Sequence, residues 1–244
     1  MRSGAAGAGS FLLDLLYPRR CPVCHEAAPF GKDICPECRK KLPLYTGKRC
    51  VKCGKPVRPY ESRCEDCKKN PHFYTRGVGV YIYNELMRES IAYMKYKGRK
   101  EYGEVLGRLA FEDAEACLRS FRPQAVIPIP LHKDKLRQRH FNQAEEIARP
   151  AAALLGVPLL SDALIRAERT GAMKELSAAQ RAENLRGAFK AGRRSFSFSR
   201  ALLVDDIYTT GATVDAAARV LREAGVREIY FMSVCIGAGF MVDY

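Results

Sequence analysis

The stretch that most constrains the fold is residues 201–213, an apolar run that ends in two carboxylates and a small, hydroxyl-rich loop. The run Ala201 to Val204 is too short and too uniformly apolar for an amphipathic helix, and it is typical of a buried strand in a parallel sheet. Ala212 to Ala224 then carries apolar residues at helical spacing and stops at Gly225. The stretch therefore predicts a strand, a turn and a helix, in that order.

The turn has the composition of a binding site for a phosphorylated sugar. Asp205 and Asp206, at the carboxyl end of the predicted strand, offer acceptors for sugar hydroxyls. A helix N-terminus follows, where free backbone N–H groups and the helix dipole favour a phosphate. The residues at this terminus are Thr209, Thr210, Gly211, Ala212 and Thr213. Together they predict a ribose 5-phosphate site. The alternative is an ordinary capped turn, although a cap needs one Asp or Thr and this stretch has five.

All thirteen residues of 201–213 also fit a known signature. The stretch resembles the phosphoribosyl pyrophosphate (PRPP) signature of the type I phosphoribosyltransferases. In that signature two acidic residues meet the ribose hydroxyls and the following loop wraps the 5-phosphate. The resemblance implies an α/β fold, with a parallel sheet flanked by helices, and a site for PRPP together with Mg²⁺.

A basic segment follows the second predicted strand, residues 125–130. Its cationic residues are His132, Lys133, Lys135, Arg137, Arg139 and His140. Because ligands of open α/β sheets bind at the carboxyl ends of the strands, we expect this segment to be a loop at the same edge as Asp205. Arg137 and Arg139 would there bind the pyrophosphate part of PRPP and stabilise its departure. The alternative is a solvated helix start that is rich in basic residues.

Residues 130–143, PLHKDKLRQRHFNQ, narrow the resemblance. They are similar to the run P-L-H-x-x-R-L-R-x-R-G-F-N-Q of the ComF family, phosphoribosyltransferase-like proteins linked to DNA uptake in competent bacteria. The chain departs from that run at Lys135, where Arg is usual, and at His140, where Gly is usual. The first change loses a bidentate guanidinium. The second adds a Cβ atom at a position where the family has a flexible hinge.

Four C-x-x-C units form an internal repeat in residues 21–67. Their cysteines are Cys21, Cys24, Cys35, Cys38, Cys50, Cys53, Cys64 and Cys67. Two such units supply the four sulfurs of a tetrahedral zinc site, and four thiolates leave no open position for catalysis. The repeat therefore predicts two structural zinc ions that also provide folding energy. Equal gaps favour pairing of the first unit with the second and of the third with the fourth, and interleaved pairing stays open. His25, next to Cys24, is expected at the surface.

The net charge of +14 marks the chain as basic. Two zinc sites of four thiolates each would lower it to about +10, because each site carries two negative charges. This charge favours anionic partners, either a polyphosphate or a nucleic acid. Basic and aromatic residues are interleaved in the second half of the repeat, namely Tyr45, Lys48, Arg49, Lys52, Lys55, Arg58 and Tyr60. They predict either a nucleic-acid surface or a face that only keeps the ribbon in solution.

The length of 244 residues leaves room for one α/β domain and a small accessory module. We expect a flexible N-terminus at 1–10, a double zinc ribbon at 11–75 and a phosphoribosyltransferase-like domain at 76–244. No apolar run approaches the roughly 20 residues that cross a bilayer, and residues 1–10 lack the pattern of a signal peptide. A cytoplasmic location is therefore expected, where paired thiols more often bind metal than form disulfides.

Two functions are compatible with this sequence. The first is a Mg²⁺-dependent enzyme that transfers the phosphoribosyl group of PRPP to an unknown acceptor. The second is a non-catalytic adaptor whose basic ribbons bind single-stranded DNA or a DNA-uptake helicase. Met173 favours the second, because the ComF family has Gln there, in a segment that resembles the mobile loop closing over PRPP. A salvage enzyme for a free purine or pyrimidine base is a weaker third reading.

Overall fold

The computed structural model describes residues 18–167, 187–192 and 196–238. The strands in this part are β1 (Arg76–Ile82), β2 (Ala125–Pro128), β3 (Leu164–Arg166), β4 (Phe189–Ala191), β5 (Arg200–Tyr208) and β6 (Glu228–Ile236). The helices are α1 (Pro36–Lys40), α2 (Glu65–Lys69), α3 (Glu85–Tyr96), α4 (Glu101–Ser120), α5 (Lys133–Arg139), α6 (Gln143–Leu155) and α7 (Ala212–Glu223). The predicted flexible segment 1–10 and the departure at Met173 lie outside the described residues.

Four strands form a parallel sheet in the order β1-β6-β5-β2. The last strand of the described chain thus lies inside the sheet, between β1 and β5. Helices cover both faces, which confirms the predicted α/β fold with a parallel sheet. Strands β3 and β4 pair antiparallel in a separate two-stranded sheet. None of the helices in the described ranges combines the length and the apolar composition needed to cross a membrane.

Strand β5 is longer than the apolar run predicts. It continues through Asp205 and Asp206 to Tyr208, because β6 beside it is equally long and pairs with it as far as Ile236. Its side chains alternate between two cores. Leu202 and Val204 pack in the core that includes α3, α4 and α6, whereas Ala201 and Leu203 pack in the core that includes α7. The carboxylates therefore continue a strand that is buried on both faces.

Helices α4 and α6 approach each other closely at a glycine. A Cβ atom on Gly107 of α4 would clash with the backbone of Ile147 in α6. Gly103, one turn earlier on α4, is less crowded, since its added Cβ would lie 2.7 Å from the Glu146 Cβ and 3.3 Å from the Met94 Sδ. The short distance between these helices depends on the missing side chain at position 107.

The two halves of the cysteine repeat pack on opposite faces of the sheet. Cys21, Ile34, Cys38 and Leu42 of the first half join the core that includes α3 and α4. The buried residues of the second half join the α7 core instead, and they are Cys50, Cys53, Val57, Cys64 and Cys67. We call residues 18–42 the first ribbon and residues 48–69 the second ribbon.

The ribbons also change the environment of β1. Its sequence predicts alternating exposure, yet all five residues from Gly77 to Tyr81 are buried. The Gly77 N–H donates to the Lys52 carbonyl oxygen, at 2.9 Å, and Leu44 forms a bridge with Tyr81. The free edge of the sheet is thereby covered, so β1 is buried on both faces despite being an outer strand.

The sulfurs of the repeat form two sets of four. Within each set the Sγ atoms lie within 4.8 Å of one another, and the sets combine the first unit with the second and the third with the fourth. The Cys24 and Cys35 Sγ atoms are 3.8 Å apart, and those of Cys53 and Cys64 are 3.5 Å apart. Sulfurs about 2.3 Å from a tetrahedral zinc ion are separated by about 3.8 Å. Both sets therefore fit structural zinc, and the sequential pairing is the observed one.

His25 is not a surface residue, contrary to expectation. Its ring stacks on Tyr93 with a centroid distance of 3.6 Å, and its Nδ1 lies 3.3 Å from the Tyr102 hydroxyl. The first ribbon thus uses His25 to dock on α3 and α4, while four sulfurs complete its metal site without it.

Replacing Gly107 tests the close approach of α4 and α6. Both Gly107→Ala and Gly103→Ala gain about 1 kcal/mol of helix propensity. Both also crowd α6, Gly107→Ala against three backbone atoms of Ile147 and Gly103→Ala against the Glu146 Cβ, and such overpacking typically costs about 1–3 kcal/mol. Urea unfolding should show Gly107→Ala to be less stable than Gly103→Ala, because backbone atoms can move aside less easily than one side chain. Equal stabilities of the two variants would contradict this account of the helix packing.

Replacing one cysteine tests the two metal sites. Wild-type protein should retain two zinc ions per chain, and Cys53→Ser should retain one, because the second set alone loses a thiolate. Elemental analysis after dialysis measures the content. Cys117→Ser is the control, since the half-buried Cys117 belongs to neither set. Retention of two ions by Cys53→Ser would show that the second set is not the ligand set.

Candidate functional site

The turn from β5 into α7 is built around one glycine. Gly211 caps α7 with a φ of +84°, in the left-handed region that favours glycine. A Cβ atom there would also clash with the Tyr208 hydroxyl, which lies beneath the turn. The predicted helix at 212–224 is present as α7, and Thr209 to Thr213 lie at its N-terminus as expected. Thr209, Thr210 and Ala212 are exposed and Thr213 is half-buried, so this N-terminus is open to a phosphate.

The two carboxylates are packed against each other at the end of β5. Asp206 is 5% exposed and Asp205 is half-buried. The Asp206 N–H donates to the Asp205 Oδ1 at 2.9 Å, and the Ile207 N–H donates to the Asp206 Oδ1 at 3.0 Å. Burial, and then the charge of Asp206, raise the pKa of the Asp205 carboxyl well above its usual value. Burial and the neighbouring carboxylate therefore both disfavour the ionised form of Asp205.

Lys95 is the site residue that sequence reasoning missed. Its ammonium group forms an ion pair with Asp206, and only 16% of its side chain is exposed. It reaches the site from the C-terminal end of α3. A signal was present, since Lys95 lies four residues after the buried Ile91 and next to the buried Met94, on the inward side of an amphipathic helix.

The basic segment is a short helix rather than a loop. The His132 Nδ1 accepts from the Asp134 N–H at 3.3 Å and so caps α5. Asp134 lies in its first turn, and Arg137 and Arg139 lie in its last, which is the charge order that a helix dipole favours. His140 ends the helix with a φ of +65°. That left-handed conformation explains why glycine suits this position and shows that the histidine adopts it with strain.

Strand pairing brings α5 to the carboxylates. β2 pairs with β5 up to Pro128 opposite Val204, and the Ile129 N–H donates to the Val204 carbonyl at 2.9 Å. After Ile129 the chain leaves the sheet and enters α5, beyond the edge at which Asp205 lies. Arg137 is exposed, so its side chain is accessible to a ligand.

Arg139 connects α5 with its neighbours. Its Nη1 donates to the Gln143 Oε1 at 3.0 Å, and its guanidinium lies over the Tyr96 ring at 5.1 Å. Tyr96 follows Lys95 at the end of α3, so α3 and α5 meet at this edge. The carboxylates, the α7 N-terminus and the basic helix thus lie at the same end of the sheet.

The family models that match this chain agree with the observed architecture. Residues 12–68 match the double zinc ribbon domain family, and residues 142–238 match the phosphoribosyl transferase domain family. The chain is 30% identical to Competence protein F of Haemophilus influenzae over 216 residues, which cover 86% of this chain and 93% of that protein.

Two further relatives are similar to this chain over most of its length. Competence protein ComFC of Bacillus subtilis is 30% identical over 202 residues, 80% of each chain. DNA utilization protein YhgH of Escherichia coli is 27% identical over 218 residues, 88% of this chain and 89% of that protein. The chain therefore belongs to the ComF family, and it carries a double zinc ribbon domain followed by a phosphoribosyl transferase domain.

Proposed function

We propose that this chain binds PRPP together with Mg²⁺ at the edge formed by β5, α7, α3 and α5, and that it acts in DNA uptake or utilisation in the cytoplasm. In this proposal residues 76–244 form the PRPP-binding domain and residues 11–75 its ribbon module. The observation that carries it is a pair of adjacent carboxylates, one buried and one half-buried, directly before a glycine-capped helix N-terminus. An ordinary turn has no use for two carboxylates so largely removed from solvent.

The ribose 5-phosphate would lie between the carboxylates and α7. Asp205 and Asp206 accept hydrogen bonds from the ribose hydroxyls, and hydrogen bonds to charged groups contribute about 1.5–3 kcal/mol each. The 5-phosphate lies in the turn, where it accepts hydrogen bonds from the backbone N–H groups of the helix terminus and from the threonine hydroxyls. The residues in this role are Thr209, Thr210, Gly211, Ala212 and Thr213.

The pyrophosphate would lie toward α5. Arg137 is exposed, and Arg139 is held by Gln143 and Tyr96, so the two differ in mobility but carry the same charge. Lys95, which pairs with Asp206, adds a cation from α3 and would lie beside the ribose in this proposal. Mg²⁺ would neutralise further charge on the pyrophosphate when bound with PRPP.

This arrangement also suits phosphoribosyl transfer. The bond from the anomeric carbon to the pyrophosphate oxygen breaks and a bond to a nucleophilic atom of the acceptor forms. The electron pair leaves with the pyrophosphate, where Arg137 and Arg139 stabilise the developing charge. The acceptor's proton passes to solvent, and the proposal assigns no general base.

A second candidate function is single-stranded nucleic-acid binding by the second ribbon. Tyr60 is 76% exposed, and the Arg58 Nη1 donates to its hydroxyl at 3.1 Å, which places a cation beside an open aromatic ring. The relatives named for competence and DNA utilization support this candidate. Lys48 is also exposed and lies on the same loop tip.

Three of the predicted basic surface residues face the protein instead. Arg49 donates to the carbonyl oxygens of Gly79 and Val80, at 2.7 and 3.1 Å. Lys55 is 8% exposed and pairs with Asp66, and Lys52 donates to the Tyr74 carbonyl. The surface that the second candidate requires is therefore limited to the tip formed by Lys48, Arg58 and Tyr60.

Replacing both carboxylates tests PRPP binding. The variant Asp205→Asn/Asp206→Asn should bind Mg²⁺-PRPP at least about tenfold more weakly than wild type, since it loses charged acceptors for the ribose hydroxyls. Isothermal titration calorimetry with Mg²⁺ present measures this. Glu223→Gln, at the far end of α7, is the matched control and should bind normally. Equal heats for the wild type and the double variant would reject the assignment.

The single variant Asp205→Asn separates binding from folding. A raised pKa in the folded state means that ionised Asp205 costs stability, and this cost appears as pH rises through that pKa. At neutral pH Asp205→Asn should therefore be more stable than wild type while binding more weakly. The gain should shrink in acid, where Asp205 is already protonated. Urea unfolding at several pH values measures it, and a gain that grows toward acid pH would contradict the sign.

Salt dependence tests the second candidate. Tyr60→Ala should weaken binding of a labelled single-stranded oligonucleotide about fivefold or more, because each stacked base contributes about 1–3 kcal/mol. Arg58→Ala should reduce the slope of log affinity against log salt by about 1. Fluorescence anisotropy between roughly 50 and 200 mM salt measures both. Phe30→Ala, which alters an exposed aromatic of the first ribbon, is the control. Absence of binding at low salt would remove this candidate.

A further inference from the structure

The second ribbon is in contact with the residues beneath the phosphate turn. The Cys67 Sγ lies 4.0 Å from the Tyr74 hydroxyl, and that hydroxyl lies 2.8 Å from the hydroxyl of Tyr208. Tyr74 and Tyr208 are buried, at 0% and 1% exposure. A line of contacts therefore runs from a cysteine of the second metal set to the last residue of β5.

Tyr208 supports the turn from below. Its hydroxyl occupies the space that a Cβ at position 211 would need, so Gly211 lies directly on it. Its ring stacks on Phe231 with a centroid distance of 4.6 Å, and the ring of Tyr74 meets it edge-on at 6.4 Å. A shift of the Tyr208 hydroxyl would therefore move the residue that caps α7.

The segment before Tyr74 holds the other side of the turn. The Phe73 N–H donates to the Asp215 Oδ1 at 2.6 Å, and Asp215 lies in the first turn of α7. The Lys52 Nζ in turn donates to the Tyr74 carbonyl. The second ribbon and the segment that follows it thus contact α7 and the phosphate turn together.

The first ribbon has no comparable contact among the described residues. Its docking contacts include those of His25 with Tyr93 and Tyr102, and the ion pairs of Arg39 with Asp113 and of Asp33 with Arg108 in α4. All of these lie on the face of the sheet opposite α7. The two metal sets therefore have different relations to the phosphate turn, although their sequences are matched repeats.

We infer that Tyr74 and Tyr208 are positioning residues that couple the second cysteine set to the phosphate turn. With metal in that set, Cys67 fixes Tyr74, Tyr74 orients the Tyr208 hydroxyl, and that hydroxyl sets the position of Gly211. The order of residues 209–213 then depends on the second set and not on the first. The use of this order for phosphate binding rests on the proposed function.

The test compares three tyrosine-to-phenylalanine variants in the full-length, zinc-loaded chain. Tyr74→Phe removes the hydroxyl that lies between Cys67 and Tyr208 and does not itself contact the turn. Tyr208→Phe removes the hydroxyl that lies beneath Gly211. Tyr102→Phe is the matched control, because it removes a buried hydroxyl that contacts His25 of the first ribbon. Amide hydrogen exchange of the peptide spanning 208–216 reports the order of the turn, and calorimetry with ribose 5-phosphate reports its affinity.

Tyr74→Phe and Tyr208→Phe should each speed exchange in this peptide about five- to tenfold, as expected for loss of one buried hydrogen bond. Tyr102→Phe should leave the peptide unchanged. Affinity for ribose 5-phosphate should fall by a similar factor in the first two variants alone. Unchanged exchange in Tyr74→Phe, or equal acceleration in Tyr102→Phe, would overturn the coupling and assign the hydroxyls to general stability.

The two readouts keep the proposals separate. If wild type fails to bind ribose 5-phosphate and PRPP, the proposed function is wrong, while the exchange data still decide the coupling. Cys67→Ser and Cys38→Ser extend the comparison to the metal sets. Loss of the second set should speed exchange at 208–216, and loss of the first should not. Acceleration by Cys38→Ser to the same extent would also overturn the inference.

Discussion

The pairing of β5 with a parallel neighbour on each side is the constraint on which the rest of the structure depends. It buries Ala201 to Val204 on both faces and carries the strand onward through Asp205 and Asp206. Because β2 ends beside Val204, the same pairing delivers the basic helix α5 to the carboxylates. One set of backbone hydrogen bonds thus places acidic, basic and helix-terminal groups at a single edge, which is where open parallel sheets bind ligands.

The carboxylate pair illustrates the conflict between stability and binding. Two acidic side chains in contact, one of them almost fully buried, oppose folding when both are ionised, and Lys95 compensates only part of that charge. A protein under selection for stability alone would replace one of them. Their presence directly before an open helix N-terminus is therefore more informative about function than either feature taken alone.

The zinc ribbons extend the two hydrophobic cores rather than forming an independent unit. Each half contributes its buried cysteines to a different face of the sheet, and the second half also turns Arg49, Lys52 and Lys55 inward. Arg49 and Lys52, whose charge the sequence suggests for nucleic-acid binding, instead attach the ribbon to β1 and to the segment before it, and Lys55 pairs with Asp66 within the ribbon. The two metal sets therefore contact different parts of the structure, although the spacing of their cysteines is identical.

The sequence by itself determined the features that depend on local chemistry and spacing. These are the eight cysteines in four C-x-x-C units, the strand-turn-helix at 201–213, and the basic run before Asn142. Only the tertiary structure decided that the units pair sequentially, that β6 lies inside the sheet, that the basic run is helical, and that His25 is packed against Tyr93. Lys95, Tyr74 and Tyr208 also emerged only there. Their roles arise from contacts between residues that are far apart in the chain. Tyr74 and Tyr208, for example, are separated by 134 positions, and a local sequence pattern does not predict such a contact.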